Sequence, residues 1–503
     1  MRSLLRCLLL LVAASSGASC GGGGGGDEPA PCTRPGTLRA LAVQGQPAPG
    51  TAGAYAAFDP GMLMDCAAGG WSAFACATTD ATRSQGVFVA QPDATVVLVF
   101  HVGESLPAGT AGGGTIGGFT GVRVNAAGQL LALVAVTGNT GGRTFALLSS
   151  SVSGGVVGTK RVVLLHQQDT ASSGSSGVLA SLDTGRLWLL ADGRAVAGGV
   201  TSDSTEAVWI VGLDGNGLDS LVATGDTLPD GSLAVTCNDL RAFGISADGG
   251  RFAFVADVGG LYEDRLYIGA PSISSYAEVA SDGNALPGGG NVLEVHGGGP
   301  LLVYDDGRVV WKAQGNGSVP DDVILVGSSS VAYTRLARSG LAAPGGGAYG
   351  ELDMLACAPQ CEYPQAVGER LGLGSSSDRA TYAFSATQPL LGLYEGRSAP
   401  SDYGAATTFT DQFPGLRAPQ CTDVSQDGAM ACAALMADGS SGMFWIVPSC
   451  GLFTLAGSGQ AVPGMADTFG AFAPQATRTV ATGVVLFRAA LQVAGSGLFR
   501  HGP

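Results

Sequence analysis

The sequence predicts an all-β fold: a single β-propeller of about eight four-stranded blades, in which the N-terminal strand completes the last blade. Three observations predict it: a recurring turn motif, an aromatic strand that recurs with the same spacing, and complementary incomplete repeats at the two ends. The 82 glycines and 24 prolines fit a chain with many turns. A hydrophobic content of 46% is too high for a disordered chain.

The turn motif has the form Gly-x-x-x-Pro, usually with Gly after the Pro, and it follows an apolar run. Clear copies begin at Gly45, Gly103, Gly225, Gly283, Gly340 and Gly459, and weaker copies are assigned to Gln168 and Thr410. In chain order the starts are separated by 58, 65, 57, 58, 57, 70 and 49 residues. Self-similarity with such a period indicates a tandem array of one structural unit.

The second marker is a short strand that carries an aromatic residue. Its copies lie at Phe88, Phe145, Trp209, Tyr267, Tyr394, Phe444 and Phe499, with Ile324 in the one gap. The spacing of these strands rises and falls with the spacing of the turns. Insertions therefore lie inside individual repeats and lengthen both intervals together, as expected for a tandem array. The fourth unit contains four apolar runs, at 240–245, 251–256, 264–268 and 276–280, each bounded by Gly, Asp or Pro. Four such runs in about 57 residues predict a propeller blade.

The two ends predict a closed ring. Only four residues follow Phe499, so the last unit lacks its fourth strand. Residues 37–43 form an apolar run that leads into the first turn, which makes them a fourth strand without the first three. Pairing of residues 38–43 with the strand around Phe499 closes the ring and covers two strand edges. The alternatives are an open solenoid or stacked sandwiches.

The units resemble a widespread bacterial surface repeat with a Gly-Asp-x-x-Pro-Gly turn and a Gly-Leu-Phe strand. The stretches 251–254 (Arg-Phe-Ala-Phe) and 497–500 (Gly-Leu-Phe-Arg) carry this resemblance. The turn 246–249 (Ser-Ala-Asp-Gly) is similar to the hairpin of TolB-type propellers. The resemblance covers residues 37 to 503 and implies a propeller fold without implying an activity.

The N-terminus predicts export. Residues 1–19 have the basic, apolar and small-residue regions of a signal peptide. Gly17-Ala18-Ser19-Cys20 resembles a lipobox, with Gly17 in place of the usual Leu, so we expect a lipid on Cys20 and a flexible tether over 20–36. By resemblance to sorted lipoproteins, Gly rather than Asp after the cysteine implies an outer-membrane lipoprotein, held by its lipid alone. The alternative is cleavage near Ala18 and a secreted or periplasmic protein.

The net charge of −15 argues against nucleic acid as a partner, because phosphate binding needs clustered Lys and Arg. The expected partner is an envelope protein or a glycan, bound by a monomer.

Nine cysteines remain besides Cys7 and Cys20, in an oxidising compartment. Three close pairs are disulfide candidates: Cys66 with Cys76, Cys357 with Cys361, and Cys421 with Cys432. Cys32, Cys237 and Cys450 are left, so one of these three stays reduced or pairs elsewhere. A zinc site at Cys357 and Cys361 would lack two of its four ligands.

The acidic second positions of the turns are the candidate ligand-binding residues: Glu104, Asp169, Asp226 and Asp411. Carboxylates around one rim could bind Ca²⁺ or a cationic or polyhydroxylated ligand. The alternative is that Asp and Glu occur there because they suit tight turns. His101 and His166 share a repeat position, which allows either a metal-binding pair or two solvated strand ends. No other cofactor is predicted.

No nucleophile elbow, Walker loop or metalloprotease motif is present in the sequence. The insertions at 149–161 and 355–369 are either binding loops or neutral additions. We therefore expect a cell-surface binding or scaffold protein without catalysis. The alternative is an extracytoplasmic hydrolase or lyase acting on polysaccharide or peptide.

Overall fold

The apolar runs between Gly, Asp and Pro turns form 34 β-strands in the described part of the computed structural model. The structure describes residues 36–59, 61–168, 177–229, 242–258, 263–271, 273–295, 299–316, 321–330, 332–355, 363–371, 379–384, 389–394, 396–404, 406–410, 420–421, 424–448, 451–472, 478–481 and 483–502. Residues 34–503 form one unit. Within the described ranges, no helix is long and apolar enough to cross a membrane.

The first four blades each follow the chain from the innermost to the outermost strand. Blade 1 comprises β2 (Met64–Ala67), β3 (Trp71–Ala77), β4 (Gln85–Ala90) and β5 (Val96–His101). Blade 2 comprises β6 (Thr115–Val124), β7 (Gln129–Thr137), β8 (Phe145–Ser153) and β10 (Arg161–Leu165), with β9 (Val156–Val157) added to β8. Blade 3 comprises β11 (Leu179–Leu189), β12 (Arg194–Thr201), β13 (Glu206–Gly212) and β14 (Asp219–Ala223). Blade 4 comprises β15 (Phe243–Ile245), β16 (Phe252–Val258), β17 (Glu263–Ala270) and β18 (Ile273–Ser281).

The last four blades repeat this order, except that blade 8 takes its outermost strand from the start of the chain. Blade 5 comprises β19 (Val292–Val295) with β20 (Leu302–Val303), β21 (Val309–Gly315), β22 (Asp322–Gly327) and β23 (Tyr333–Arg338). Blade 6 comprises β24 (Ala348–Met354), β25 (Gln365–Leu371), β26 (Arg379–Phe384) and β27 (Pro389–Tyr394). Blade 7 comprises β28 (Gln420–Cys421), β29 (Met430–Leu435), β30 (Ser441–Val447) and β31 (Gly451–Gly457). Blade 8 comprises β32 (Arg478–Ala481), β33 (Val484–Ala490), β34 (Ser496–Gly502) and β1 (Thr37–Val43).

The ring is closed as the sequence predicts. Strand β1 pairs antiparallel with β34, with Leu38 opposite His501, Ala40 opposite Phe499 and Val43 opposite Gly497. The eight four-stranded blades form an eight-bladed β-propeller, so the fold-class prediction is confirmed. The open-solenoid and sandwich alternatives are excluded.

The apolar core lies between the blades. Among the described residues there are eight buried clusters, one for each neighbouring pair of blades, including blades 8 and 1. At that last interface Leu41 and Leu486 of blade 8 pack in one cluster with Phe74 and Phe88 of blade 1. Full burial of one such side chain contributes about 1.5–3 kcal/mol relative to exposure. Packing therefore closes the ring in addition to the β1–β34 hydrogen bonds.

The strand order defines two faces. Neighbouring strands in a blade are antiparallel, so the loops from second to third strand and from each outermost strand to the next blade lie on one face. We call it the turn face, because it carries the recurring turns. The opposite face carries the loops from first to second and from third to fourth strand.

The structure corrects two of the eight turn starts. In every turn the amide of the second residue donates to the carbonyl three residues earlier, at 3.0–3.2 Å, and the first residue has positive φ. By this criterion the third turn starts at Gln167 rather than Gln168, and the seventh at Gly396 rather than Thr410. The starts are then 58, 64, 58, 58, 57, 56 and 63 residues apart. The sixth repeat is therefore short, and the extra residues predicted there belong to the seventh.

The disulfide predicted between Cys66 and Cys76 is wrong, because the structure forms no bond between these two buried residues. Cys66 lies opposite Ser72, so the two cysteines are four residues out of register along the β2–β3 hairpin. At about 3.3 Å per residue they are about 13 Å apart, beyond the reach of a disulfide. Burial raises the pKa of the Cys76 thiol to about 12, with the Asp59 carboxylate adding to the rise.

The second predicted pair has the required register. Cys421 lies directly opposite Cys432 in the β28–β29 pairing, and Cys432 is disulfide-bonded. Their bond to each other stays a prediction, because the Cys421 side chain is outside the description. Cys20, Cys32, Cys237, Cys357, Cys361 and Cys450 lie outside the described residues.

Candidate functional site

The turn face is a rim of braced hairpins. Where both partners are described, the amide of the first turn residue donates to a carbonyl oxygen on the returning arm of the turn, as from Gly103 to Ile116 at 2.8 Å. In six blades the loop between the second and third strands also donates an amide to a carbonyl oxygen of the preceding turn hairpin, as from Ser202 to Val178 at 2.8 Å. Each turn is thus held by the blade that follows it. The rim is therefore a preformed platform rather than a set of independent loops.

The second turn positions have a role within the turn. The side chains of Glu104, Gln168, Asp226, Asn284 and Gln460 each accept a hydrogen bond from the amide three residues earlier, at 2.8–3.2 Å. This is the turn-stabilising alternative that the sequence left open. Ligand binding by the acidic members of this set stays a prediction.

The two described candidate carboxylates have further partners and lie on different turns. Glu104, between blades 1 and 2, forms an ion pair with Lys160. Asp226, between blades 3 and 4, accepts a hydrogen bond from the Tyr276 hydroxyl at 2.8 Å. Burial, and secondly this carboxylate, raise the pKa of Tyr276.

Asp169 and Asp411 lie outside the described residues, and Gln168 and Arg397 take the second positions in their turns. Within the described ranges, no group of three or more His, Cys, Asp or Glu side chains is arranged to hold a metal ion.

The histidine pair is not assembled around a common ligand. The His101 ring has its Nδ1 2.9 Å from the Val102 carbonyl oxygen. His166 stacks on Phe145 with ring centroids 4.9 Å apart, and its Nδ1 accepts from the Thr144 amide at 3.0 Å. Burial lowers the pKa of His166. Each imidazole is used within its own blade, which agrees with the strand-end interpretation.

A cleft on the turn face is the strongest candidate site. It has a volume of 590 Å³, within the range of about 300–1,000 Å³ that is typical of small-ligand sites. The described residues of its lining are small or hydroxylated and come from the seventh turn: Ser398, Ala399, Pro400, Ser401, Gly404, Ala406, Thr407 and Thr408. The turn motif at 396–400 could have located it, but the sequence assignment placed this turn at Thr410.

The cleft is held by a short helix that docks on the next blade. The 3₁₀ helix Ser401–Tyr403 buries the Tyr403 ring 5.6 Å from that of Phe444. The Tyr403 hydroxyl is 2.8 Å from Ser440 Oγ and donates to the Ser441 carbonyl at 3.2 Å. Burial raises the pKa of this phenol, so it stays neutral and can donate. The helix can therefore hold the mouth of the cleft open.

A charged bulge on the innermost strand of blade 3 is the second candidate. Residues 183–186 of β11 face only Gly198 of β12. Arg186 lies between two carboxylates, in an ion pair with Glu206 and with its Nε 3.5 Å from Asp183 Oδ2. Bulges often occur beside active sites. Here the opposite charges lie against each other, so the bulge is a less suitable ligand site than the cleft.

Part of the chain is similar in sequence to a known protein family. Residues 30–151 match a protein family described as "Family of unknown function (DUF7453)". No curated protein sequence matches the chain.

Several solved structures are similar to this chain. The β-propeller domain of the Trilobed protease from Pyrococcus furiosus is 7% identical and aligns over 77% of this chain and 94% of that one, with a TM-score of 0.41. An oligogalacturonate lyase from Vibrio parahaemolyticus is 10% identical over 80% and 97%, with a TM-score of 0.40. TolB from Acinetobacter baumannii is 10% identical over 76% and 79%, with a TM-score of 0.30. These likenesses concern the fold alone.

Proposed function

We propose that this protein is a binding protein of the bacterial cell surface, which presents the turn face of its propeller to an envelope protein or glycan. The lipid on Cys20 and the tether over 20–36 hold it to the outer membrane in this proposal. One observation carries it: the braced rim of turns and the cleft lie on the face away from the point where the N-terminal segment enters the propeller.

The direction of β1 supports this orientation. Thr37 lies opposite Gly502, at the end of a third strand, and therefore on the opposite face. The strand then runs toward the turn at Gly45, on the turn face. Gly36 is 16 positions after Cys20, so the expected tether reaches at most about 55 Å. The described chain therefore enters the propeller on the opposite face, at Thr37, and in this proposal the turn face is the one presented to a partner.

Two exposed valines allow a matched test. Val493 is 83% exposed in a turn-face loop of blade 8, and Val156 is 69% exposed in the short strand β9, which belongs to the connection on the opposite face. Val493→Cys and Val156→Cys, each coupled to a maleimide polymer, place the same bulk on the two faces. We expect the polymer at residue 493 to reduce binding of the purified protein to isolated cell envelopes at least about tenfold. The measurement is a sedimentation assay with labelled protein.

The polymer at residue 156 is the control and should leave binding unchanged. Equal losses at both positions, or a loss only at 156, would contradict the proposal. Release of soluble fragments from the envelopes would favour the hydrolase or lyase alternative.

A further inference from the structure

The cleft of the seventh turn contains an unused set of hydroxyl groups. Within the described residues, the side-chain hydroxyls of Ser398, Ser401, Thr407 and Thr408 have no protein hydrogen-bond partner. A hydroxyl both donates and accepts, so four of them around one cleft can bond a ligand that also does both. We propose that this cleft binds a neutral, polyhydroxylated ligand, namely a segment of an uncharged glycan chain. This rests on the proposed function, whose turn face contains the cleft.

The described lining favours a neutral ligand. Its eight residues are Ser, Thr, Ala, Pro and Gly, and none of these described residues carries a charge. Asp402 is adjacent in sequence, but both of its carboxylate oxygens lie 3.3 Å from the Thr454 amide, which donates to them. A charged ligand would lose its hydration without gaining a counter-charge, which is costly. A neutral ligand loses less and regains its hydrogen bonds from the hydroxyls.

The apolar part of the lining fits the same ligand class. Ala399, Pro400 and Ala406 present carbon surface beside the hydroxyls. A sugar ring has C–H faces as well as hydroxyl edges, so it can use both kinds of surface. Ligand sites commonly combine an apolar lining with a few well-placed polar groups.

Hydrogen bonds hold the described parts of the cleft together. Its two arms are hydrogen-bonded to each other, from the Ala399 amide to the Thr407 carbonyl at 2.9 Å. Gln460 of the next turn donates to the Tyr403 carbonyl at 3.1 Å, which ties two neighbouring turns together. Rigid groups lose less conformational freedom on binding, and this raises affinity.

The seventh turn differs from its simpler counterparts. In the turns that start at Gly283 and Gly340, three consecutive glycines follow the proline. The amide of the first turn residue then donates to a carbonyl oxygen nine residues later. In the seventh turn the 3₁₀ helix replaces the glycines, and the corresponding acceptor is the Phe409 carbonyl oxygen, thirteen residues after Gly396. Among the described turns it is the one that contains a helix. The added residues build the cleft.

The test measures binding of the full mature chain to three panels: neutral oligosaccharides, charged oligosaccharides and peptides. The variants are Ser398→Ala and Thr407→Val, each of which removes one hydroxyl. The control is Ser153→Ala, an exposed serine at the end of β8 on the opposite face. We expect neutral oligosaccharides to bind, and each cleft variant to bind about three- to tenfold more weakly, the effect of one neutral hydrogen bond. The control should bind as the parent does, and thermal unfolding should show that all variants are folded.

Other results would overturn the inference. Binding to charged oligosaccharides or peptides alone would do so, as would neutral glycan binding that the cleft variants leave intact, or no binding to any panel. These outcomes remain distinct from the valine test: loss of envelope binding on blocking residue 493, without an effect of the cleft variants, would leave the proposed function standing and reject only the glycan cleft.

Discussion

At the scale of single residues, Arg500 couples the two ends of the ring. It is 1% exposed in β34, and its guanidinium donates to carbonyl oxygens of blade 1: those of Gly70, Gln91 and Pro92. The bonds to Gln91 and Pro92 are both 2.7 Å long. In the other repeats the residue after the recurrent strand marker is never Arg; it is Val89 after Phe88 and Trp445 after Phe444, for example. Arg500 is therefore specific to the closing interface.

Replacing Arg500 should weaken this interface more than an average substitution does. Arg500→Met keeps much of the side-chain volume but leaves three carbonyls without their donor. Because hydrogen bonds to charged groups contribute about 1.5–3 kcal/mol each and are not additive, we expect the free energy of unfolding to fall by about 3 kcal/mol or more. Urea unfolding measures it.

Arg500→Lys provides the comparison. Lysine keeps the charge but cannot span all three carbonyls with a planar fork, so its loss should be intermediate. Equal stability of Arg500→Met and the parent protein would show that the contacts of Arg500 do not hold the ring.

At the scale of elements, the third turn tests the rule that defines the rim. The third turn begins with Gln167, which has a φ of +63°, whereas the other seven turns begin with Gly. A non-glycine residue in the left-handed region costs about 1–2 kcal/mol, and the extra chain entropy of Gly offsets about 0.5–1 of this. We therefore expect Gln167→Gly to raise the free energy of unfolding by about 0.5–1 kcal/mol, measured by urea unfolding.

The reverse change is the matched control. Gly225 has a φ of +93°, and a Cβ there would meet no atom within 4 Å, so Gly225→Gln adds backbone strain without a clash. It should lower stability by a similar amount. If both variants change stability in the same direction, the first turn position does not act through its backbone conformation.

At the scale of the whole molecule, the N-terminal strand makes the ring continuous. A chain that begins at residue 45 lacks β1, so the edge of β34 and the apolar surface that contacts Leu41 become exposed. An uncovered strand edge beside apolar surface promotes association. We expect this chain to melt at a lower temperature and to form oligomers in size-exclusion chromatography.

A peptide of residues 36–44 should restore a monomer by occupying the vacant position. A peptide with Leu41→Asp and Val43→Asp is the control, because both side chains are buried in the ring. If the shortened chain is monomeric and equally stable without any peptide, β1 is not needed for closure.

The fold could be predicted from the sequence because its signals are local and repeated. Turn, aromatic strand and apolar runs recur in each blade, so an error in one copy does not alter the architecture. The errors fell where a copy departs from the pattern: Gln167 replaces Gly, and Ser401 replaces the Gly that usually follows Pro. The motif at 396–400 could have located the seventh turn, but not the shape of the cleft, which depends on Tyr403 packing against Phe444, a residue remote in the sequence. The charged bulge of β11 has no sequence signature of its own.

The pairing of Ala40 with Phe499 also orders the assembly of the molecule in time. These two residues are 459 positions apart, so β1 is made first and its partner almost last. The entropic cost of joining such distant segments grows only slowly with their separation, but the rate of finding the contact falls as contacts become less local. Until β34 has been synthesised, the apolar residues of β1 cannot be buried as they are in the folded ring. Burial of β1 therefore requires that all the blades have been synthesised. A chain cut short before residue 496 would keep β1 unpaired, with exposed apolar residues that chaperones or proteases can recognise.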